Sequence, residues 1–302
     1  MLKNKHNLAI ALAVWQAISF ALMGVWVRMM NASFTVYQQV FWRSALAALI
    51  CWLIFGVTFK KSTFRSLTRT DWLIYVGRSF LTYGVGVLLF TVAVLHANLA
   101  QVSFIASLPI VGLIAWVMFK EKLNLKAMVW IQISVVGLIL VTGLSPSSLH
   151  FGMGTVAAVL SMLGFDISYL MVRHHPNTMS NIHNTTLILT FAWIPAFVLM
   201  LVSHQSIMPT GVSRLAFIGF VFSVLLNISG MYVLNFIFSN LKGYVAGNIL
   251  LLEGVFAFIV GYIAYGEKLN MGELAGAAII LVCAVMLSRN SLQQKELAEV
   301  EA

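Results

Sequence analysis

Four ionisable residues stand inside long apolar stretches of the sequence: Arg43, Arg78, Asp166 and Glu253. A charged side chain near the centre of a membrane helix costs roughly 2.5–3.5 kcal/mol on insertion scales, so such residues face protein or water and usually serve a function. An arginine binds anionic groups, whereas a carboxylate binds a cationic group or a proton. These four residues therefore predict a binding site for a charged or zwitterionic small molecule.

Structural ion pairs are the alternative interpretation of the same residues. The helical rise puts Arg78 and Asp166 at similar depths from the same side of the membrane, so their side chains could pair. Glu253 lies near the middle of its apolar stretch, where burial favours the protonated form of a carboxyl group. Glu253 is thus a candidate for proton coupling, whereas Arg43 lies nearer one end of its stretch and could serve packing.

Aromatic and amide side chains in these stretches are further candidates for substrate binding. A buried amide needs hydrogen-bond partners, so Asn227 and Asn248 are informative, although such bonds also join neighbouring helices. Tyr83 and Trp15 are the aromatic candidates, with packing or lipid contact as the alternative role.

The composition is that of a membrane protein. Of 302 residues, 61% are hydrophobic and 9% are charged, against about 25% charged in soluble domains. A helix needs about 20 apolar residues to cross the bilayer, and spanning strands would be shorter and alternate in polarity. Ten stretches qualify as helices: 7–29, 36–58, 72–94, 98–119, 126–143, 152–172, 184–203, 214–238, 244–265 and 270–288.

Two prolines, Pro109 and Pro195, interrupt the fourth and seventh stretches. Proline removes a main-chain hydrogen bond and kinks a helix. We therefore predict kinks in these two spans, which serve as gates or only shape the fold.

Basic residues indicate the orientation of the spans. If the N-terminus is cytoplasmic, thirteen Lys and Arg residues fall in cytoplasmic segments and three in outer segments. This bias follows the positive-inside rule, and it accounts for the net charge of +9 without nucleic-acid binding. We expect a multi-pass protein of the cell membrane (inner or plasma membrane) with both termini in the cytoplasm.

The sequence contains an internal repeat. The motif Glu121-Lys122-Leu123-Asn124 follows the fourth span and recurs as Glu267-Lys268-Leu269-Asn270 after the ninth. Likewise, Val27-Arg28 at the end of the first span recurs as Val172-Arg173 at the end of the sixth. A unit of five spans is therefore duplicated, and an odd number places the second copy upside down in the membrane.

Inverted repeats are the architecture of many secondary transporters. The sequence thus predicts an all-α membrane protein of ten transmembrane helices, arranged as two inverted five-helix repeats. The repeats cover 8–143 and 151–289. A short acidic cytoplasmic tail follows at 290–302, and we expect it to be disordered.

The repeated motif and its surroundings resemble the EamA-type repeat of the drug/metabolite transporter superfamily. Pro109 stands where that repeat often has a proline, and Glu253-Gly254 stands where it often has Glu-Pro. Small residues around Gly137 and Gly276 fit the same pattern. The resemblance implies a ten-helix transporter of amino acids, nucleosides, cofactor-like metabolites or other small organic molecules, working by alternating access as a monomer or homodimer.

Other functions lack their sequence motifs. The chain contains no HExxH, Walker phosphate loop, CxxC or GxSxG, so we expect neither an enzyme, nor a cofactor, nor a nucleotide-driven pump. His174, His175 and His183 could bind a metal, but a loop at the membrane surface is the favoured interpretation. The remaining alternatives are a proton-coupled efflux permease of broad specificity, an intramembrane enzyme, or a channel, which would favour rings of like charge in an oligomer.

Overall fold

The computed structural model describes residues 2–97, 99–120, 125–142, 152–176, 178–265 and 271–300. These residues form ten helical spans, each overlapping one predicted stretch. Eight are single or nearly continuous helices long and apolar enough to cross a membrane, and two shorter apolar helices cover Leu125–Val141 and Gly243–Ala257. The prediction of an all-α fold with ten spans is confirmed.

The first five spans contain one break and one change of helix type. They are α1 (Leu2–Met30), α2 (Val36–Phe55), α3 (Arg69–Ser79, π-helical Phe80–Val87, Leu88–His96), α4 (Leu99–Ala106 and Ile110–Phe119) and α5 (Leu125–Thr142). A 3₁₀ turn, Gly56–Thr58, and a short helix, Lys61–Arg65, connect α2 to α3.

The last five spans contain two breaks. They are α6 (Met153–Leu170, extended by the 3₁₀ turn Met171–His174), α7 (Asn181–Ala192 and Ile194–Val202), α8 (Arg214–Asn240), α9 (Gly243–Leu250 and Leu252–Tyr265) and α10 (Met271–Val300). Since α10 continues to Val300, the expectation of a disordered tail is wrong for the described residues.

Helix breaks occur at both predicted prolines. In α4 the helix ends at Ala106 and resumes after Pro109, and in α7 it is interrupted at Trp193, just before Pro195. The predicted kinks are therefore present, while their role as gates stays a prediction. The break in α9 at Leu251 has no proline and was not predicted from the sequence.

The helices form two compact units, and each unit takes helices from both sequence repeats. Unit 1 contains α1 up to Leu22, together with α4, α5, α9 and α10. Unit 2 contains the rest of α1, together with α2, α3, α6, α7 and α8. The compact units thus differ from the sequence repeats.

In unit 1, α5 packs closely on α10, and the second part of α4 packs on the first part of α9. A Cβ atom at Gly137 would meet the main-chain oxygen of Gly276, and a Cβ atom at Gly276 would meet that of Gly137. Such small residues let helix backbones approach closely. The small residues that the repeat pattern singled out therefore form a helix–helix contact.

In unit 2, hydrogen bonds at the two ends of α2 show that α2 and α7 run antiparallel. At its start, Gln38 donates to the main-chain oxygen of Ser206, which follows α7, at 2.7 Å. At its end, Thr58 contacts Nε2 of His183, near the start of α7, at 2.9 Å. The two ends of this 20-residue helix are about 30 Å apart.

The repeated Val-Arg pair lies at opposite ends of unit 2. Val27-Arg28 closes α1 just before the start of α2, whereas Val172-Arg173 closes α6 beside the end of α8, where Arg173 donates to the main-chain oxygen of Phe238 at 3.4 Å. The first span of each repeat thus ends at the opposite end of unit 2 from its counterpart, as inverted repeats require. The Glu-Lys-Leu-Asn motifs at 121–124 and 267–270 lie outside the described residues.

Candidate functional site

Arg78 lies on the first segment of α3 and is completely buried. Its Nε donates to the main-chain oxygen of Ser168 on α6 at 2.7 Å, and Nη1 lies 3.0 Å from Nε2 of His175. Its Nη2 is buried, and it has no hydrogen-bond partner in the described part of the chain. Two of the three guanidinium nitrogens are therefore fixed by α6 and the residue after it, which leaves one donor for a ligand.

His175 follows the 3₁₀ turn after α6, and its ring packs on that of Tyr75 with centroids 5.0 Å apart. Burial, and then the positive charge of Arg78, hold the pKa of His175 well below its usual range. The neutral ring can therefore accept a hydrogen bond from Nη1. His175 lies in the connection between α6 and α7, as the sequence suggested, and its half-buried ring contacts Arg78.

Further hydrogen bonds hold the helices around Arg78 in register. The hydroxyls of Thr82 and Ser168 are in contact across α3 and α6, and the hydroxyl of Tyr75 donates to Oδ1 of Asn184 on α7. Three helices of unit 2 thus fix the position of the guanidinium.

Asp166 does not pair with Arg78. It is buried on α6, and its Oδ2 has no hydrogen-bond partner among the described residues. Ser168 is only two residues further along the helix, about 200° around its axis, so the face that holds Arg78 is not the face that carries Asp166. The ion pair considered from the sequence is therefore not formed, and the carboxylate lacks a charged partner in the described part of unit 2.

Arg43 on α2 is a second buried guanidinium in unit 2. Its Nη2 donates to Oγ1 of Thr91 at 3.1 Å, while Nη1 lies 3.9 Å from the sulfur of Met23. Its Nε has no partner among the described residues. Tyr83 is buried in the π-helical segment of α3, and within the described ranges neither arginine forms an ion pair with a carboxylate.

Unit 1 contains the predicted site residues on α9. Glu253 is buried in the first turn after the break at Leu251, and within the described ranges its carboxylate has neither a hydrogen bond nor an ion pair. Asn248, on the other side of the break, is fully buried and donates from Nδ2 to Oγ of Ser134 on α5 at 2.8 Å. Asn248 thus joins helices, and its Oδ1 has no partner among the described residues.

Two predicted residues have less defined surroundings. Trp15 on α1 exposes 51% of its surface, which fits lipid contact. Asn227 on α8 is buried, and its Nδ2 lacks a partner in the described part of unit 2. In the described ranges, no group of three or more His, Cys, Asp or Glu residues could hold a metal ion.

Arg43, Arg78 and Tyr83 are all buried in unit 2, and neither arginine forms an ion pair with a carboxylate among the described residues. Ser168 and His175, which position Arg78, were not predicted to contact it. The sequence does contain an indication of both partners: Ser168 is a polar residue in an apolar helix, two residues after Asp166, and His175 follows the end of that helix.

The comparisons with known proteins agree with this architecture. The family model of the EamA-like transporter family matches residues 7–143 and again 152–289. A solved crystal structure aligns over 94% of this chain and 98% of the other, with a TM-score of 0.69 and 13% sequence identity. Identity this low shows a shared fold alone. The comparison with curated proteins returned no significant match.

Two family matches separated by a short connection cover nearly all of the sequence, and they coincide with the two five-helix repeats. Transport, rather than enzymatic catalysis, is the activity of this family. The chain therefore belongs to the EamA-like transporter family and is a multi-span membrane protein with two EamA domains.

Proposed function

We propose that the chain is a secondary transporter that carries a small organic metabolite with an anionic group across the cell membrane by alternating access. An amino acid, a nucleoside-like molecule or a cofactor-like molecule meets this description. Family membership supports the transport activity, and the buried charges support the class of substrate.

The observation that carries this proposal is that two buried guanidinium groups, those of Arg43 and Arg78, form no ion pair with a carboxylate in the described part of the chain. Arginine stays protonated in proteins, and an isolated buried charge is strongly unfavourable. A carboxylate or phosphate of the substrate would supply the missing negative charge. The unpartnered Nη2 of Arg78 and Nε of Arg43 are available to donate to it.

Asp166 supports a zwitterionic rather than a purely anionic substrate. Its carboxylate belongs to the same unit as the two arginines, and its Oδ2 is buried without a partner in the described residues. An amino group of the substrate would complement it. Because Asp166 and the Ser168 carbonyl that holds Arg78 lie on different faces of α6, a substrate whose amino group is well separated from its anionic group, such as an amino-group-bearing nucleoside derivative, fits unit 2 better than a dicarboxylate does.

The inverted repeats support alternating access as the mechanism. Two repeats of the same fold in opposite orientation can exchange conformations, and the exchange converts an inward-open into an outward-open state. Discontinuous helices are a recurring feature of such transporters. The breaks in α4 and α9, which are equivalent spans of the two repeats, are candidate points of bending.

A second candidate function is proton-coupled efflux, and Glu253 favours it. A buried carboxyl group without a charged partner can bind a proton on one side of the membrane and release it on the other. Its place at the break in α9 would couple proton binding to helix movement. Asp166 would then remain free for the substrate.

Counterflow in proteoliposomes tests the main proposal. Metabolites would first be screened by thermal shift on purified protein, in matched sets that are zwitterionic, anionic, cationic or neutral. We expect stabilisation by zwitterions or anions, and faster uptake of the labelled compound when unlabelled compound is inside. Stabilisation by cations or neutral analogues alone contradicts the substrate class, and flux without acceleration by internal substrate indicates a channel.

A further inference from the structure

The connection between α2 and α3 forms a compact aromatic row that the proposed transport site does not use. The rings of Trp52, Phe59, Phe64 and Trp72 follow one another with centroids 5.0, 5.0 and 6.5 Å apart and planes within 25° of parallel. This row packs the short helix Lys61–Arg65 against the ends of α2 and α3. The backbone of the connection is thereby held in a defined position.

Three basic side chains project from this held segment into the surroundings. Lys60, Arg65 and Arg69 are exposed, and within the described ranges none of them has a side-chain ion pair. Asp71 is the only acidic residue between 56 and 72, and its Oδ2 already accepts from the main-chain nitrogen and the hydroxyl of Thr68, both at 2.7 Å. These three residues are here called the basic patch. Their positive charge is therefore not neutralised by an acidic residue of the connection.

The basic patch lies where the exposed surface changes from apolar to charged. On α2, Leu53 is 71% exposed, and Val57, in the following turn, is 89% exposed, three residues before Lys60. On α3, Leu73 is 71% exposed, four residues after Arg69. Exposed apolar side chains of a membrane protein face acyl chains, so both helices leave the hydrocarbon region at this level. The phosphate groups of the lipids lie at the same level.

From this arrangement we propose that the basic patch is a binding site for the phosphate headgroup of an anionic phospholipid. The three cations bind the phosphate, and the exposed Leu53, Val57 and Leu73 contact the acyl chains. Clusters of basic residues next to a membrane helix attract anionic lipid headgroups electrostatically. The aromatic row holds the cations in place, so binding requires little further ordering of the connection.

Thermal stability in lipid-supplemented detergent tests this site. Purified protein would be titrated with phosphatidylglycerol, with phosphatidylcholine and with glycerol 3-phosphate. We expect stabilisation by phosphatidylglycerol that weakens with added salt, and little effect from the other two. Equal stabilisation by phosphatidylcholine overturns the headgroup specificity, and equal stabilisation by glycerol 3-phosphate overturns the assignment to a lipid.

A matched pair of triple variants assigns the effect to the patch. The variant K60Q/R65Q/R69Q should lower the apparent affinity for phosphatidylglycerol roughly tenfold or more. The control K120Q/K126Q/R214Q removes the same charge from three other exposed residues and should bind like the unmodified protein. An equal loss in both variants, or a loss in neither, overturns the proposal, and unfolding midpoints in phosphatidylcholine show that both variants are folded.

Discussion

The guanidinium of Arg78 is bonded at two nitrogens, and the third is buried without a partner in the described part of the chain. A fixed donor of this kind loses little freedom when it binds an anion, because its orientation is already set. His175 and Ser168 hold Arg78 in place, so in the proposed site they would position the guanidinium and not bind the substrate themselves.

Replacing Arg78 by Gln should raise the KM for transport by ~10- to 100-fold, since a hydrogen bond to a charged group contributes about 1.5–3 kcal/mol. Initial rates of counterflow measure this effect on the substrate found in the screen. Arg214→Gln, at an exposed position, is the control and should leave KM unchanged. An unchanged KM for a folded Arg78→Gln protein would remove Arg78 from the substrate site.

Replacing Glu253 by Gln separates proton coupling from substrate exchange. Glutamine resembles the protonated carboxyl group and cannot release a proton. If Glu253 is the proton carrier, the variant should lose accumulation driven by a pH gradient and keep counterflow, and its exchange rate should no longer vary with pH. Both assays use the same proteoliposomes, with Glu273→Gln on α10 as the matched carboxyl variant. If Glu253→Gln still accumulates substrate in a pH gradient, a group other than Glu253 couples transport to protons.

At the scale of helices, the contact of α5 with α10 depends on two glycines. Because a Cβ atom at Gly276 would lie about as close to the Gly137 oxygen as a hydrogen-bond donor does, Gly276→Ala must push the helices apart. Overpacking of this kind costs about 1–3 kcal/mol.

We therefore expect a lower unfolding midpoint for Gly276→Ala in detergent, measured by intrinsic fluorescence. Gly152→Ala is the control, because no atom lies within 4 Å of its added Cβ. If both variants unfold at the midpoint of the unmodified protein, the close packing of α5 and α10 does not contribute to stability.

The helices and their breaks differ in how well the sequence predicts them. Hydropathy identifies the ten spans because lipid selects long apolar runs, and proline marks the breaks in α4 and α7 because it removes a main-chain donor. The break at Leu251 and the π-helical segment Phe80–Val87 leave no such mark. Both follow from how the chain packs, which one sequence does not specify.

The partners of Arg78 were not predictable for a related reason. Helical rise gives the depth of a residue along its span, and on depth alone Asp166 is a suitable partner. Pairing also depends on the direction of each side chain around the helix axis, which is set by the neighbouring helices. In the structure, the Arg78 guanidinium reaches the main-chain oxygen of Ser168 on α6. The turn after α6 places His175 next to the same guanidinium.

At the scale of the whole molecule, the repeats should place equivalent loops on opposite sides of the membrane. Single cysteines at Asn124 and Asn270, in a Cys51→Ala/Cys283→Ala background, report their sides through an impermeant maleimide in intact cells and inverted vesicles. We expect Asn124→Cys to react from the cytoplasmic side and Asn270→Cys from the outside. Labelling of both positions from one side would contradict the inverted arrangement.

The partners of Arg78 also have a consequence for biosynthesis. Ser168 and His175 belong to the second repeat, so a ribosome that has synthesised only the first repeat has released an arginine whose hydrogen-bond acceptors do not yet exist. We therefore expect the nascent α3 to stay at the translocon, or at its lateral opening, until α6 has been synthesised. Assembly of unit 2 would then be a late step of translation, and a chain that stops between the repeats would expose Arg78 without its acceptors to the quality-control proteases of the membrane.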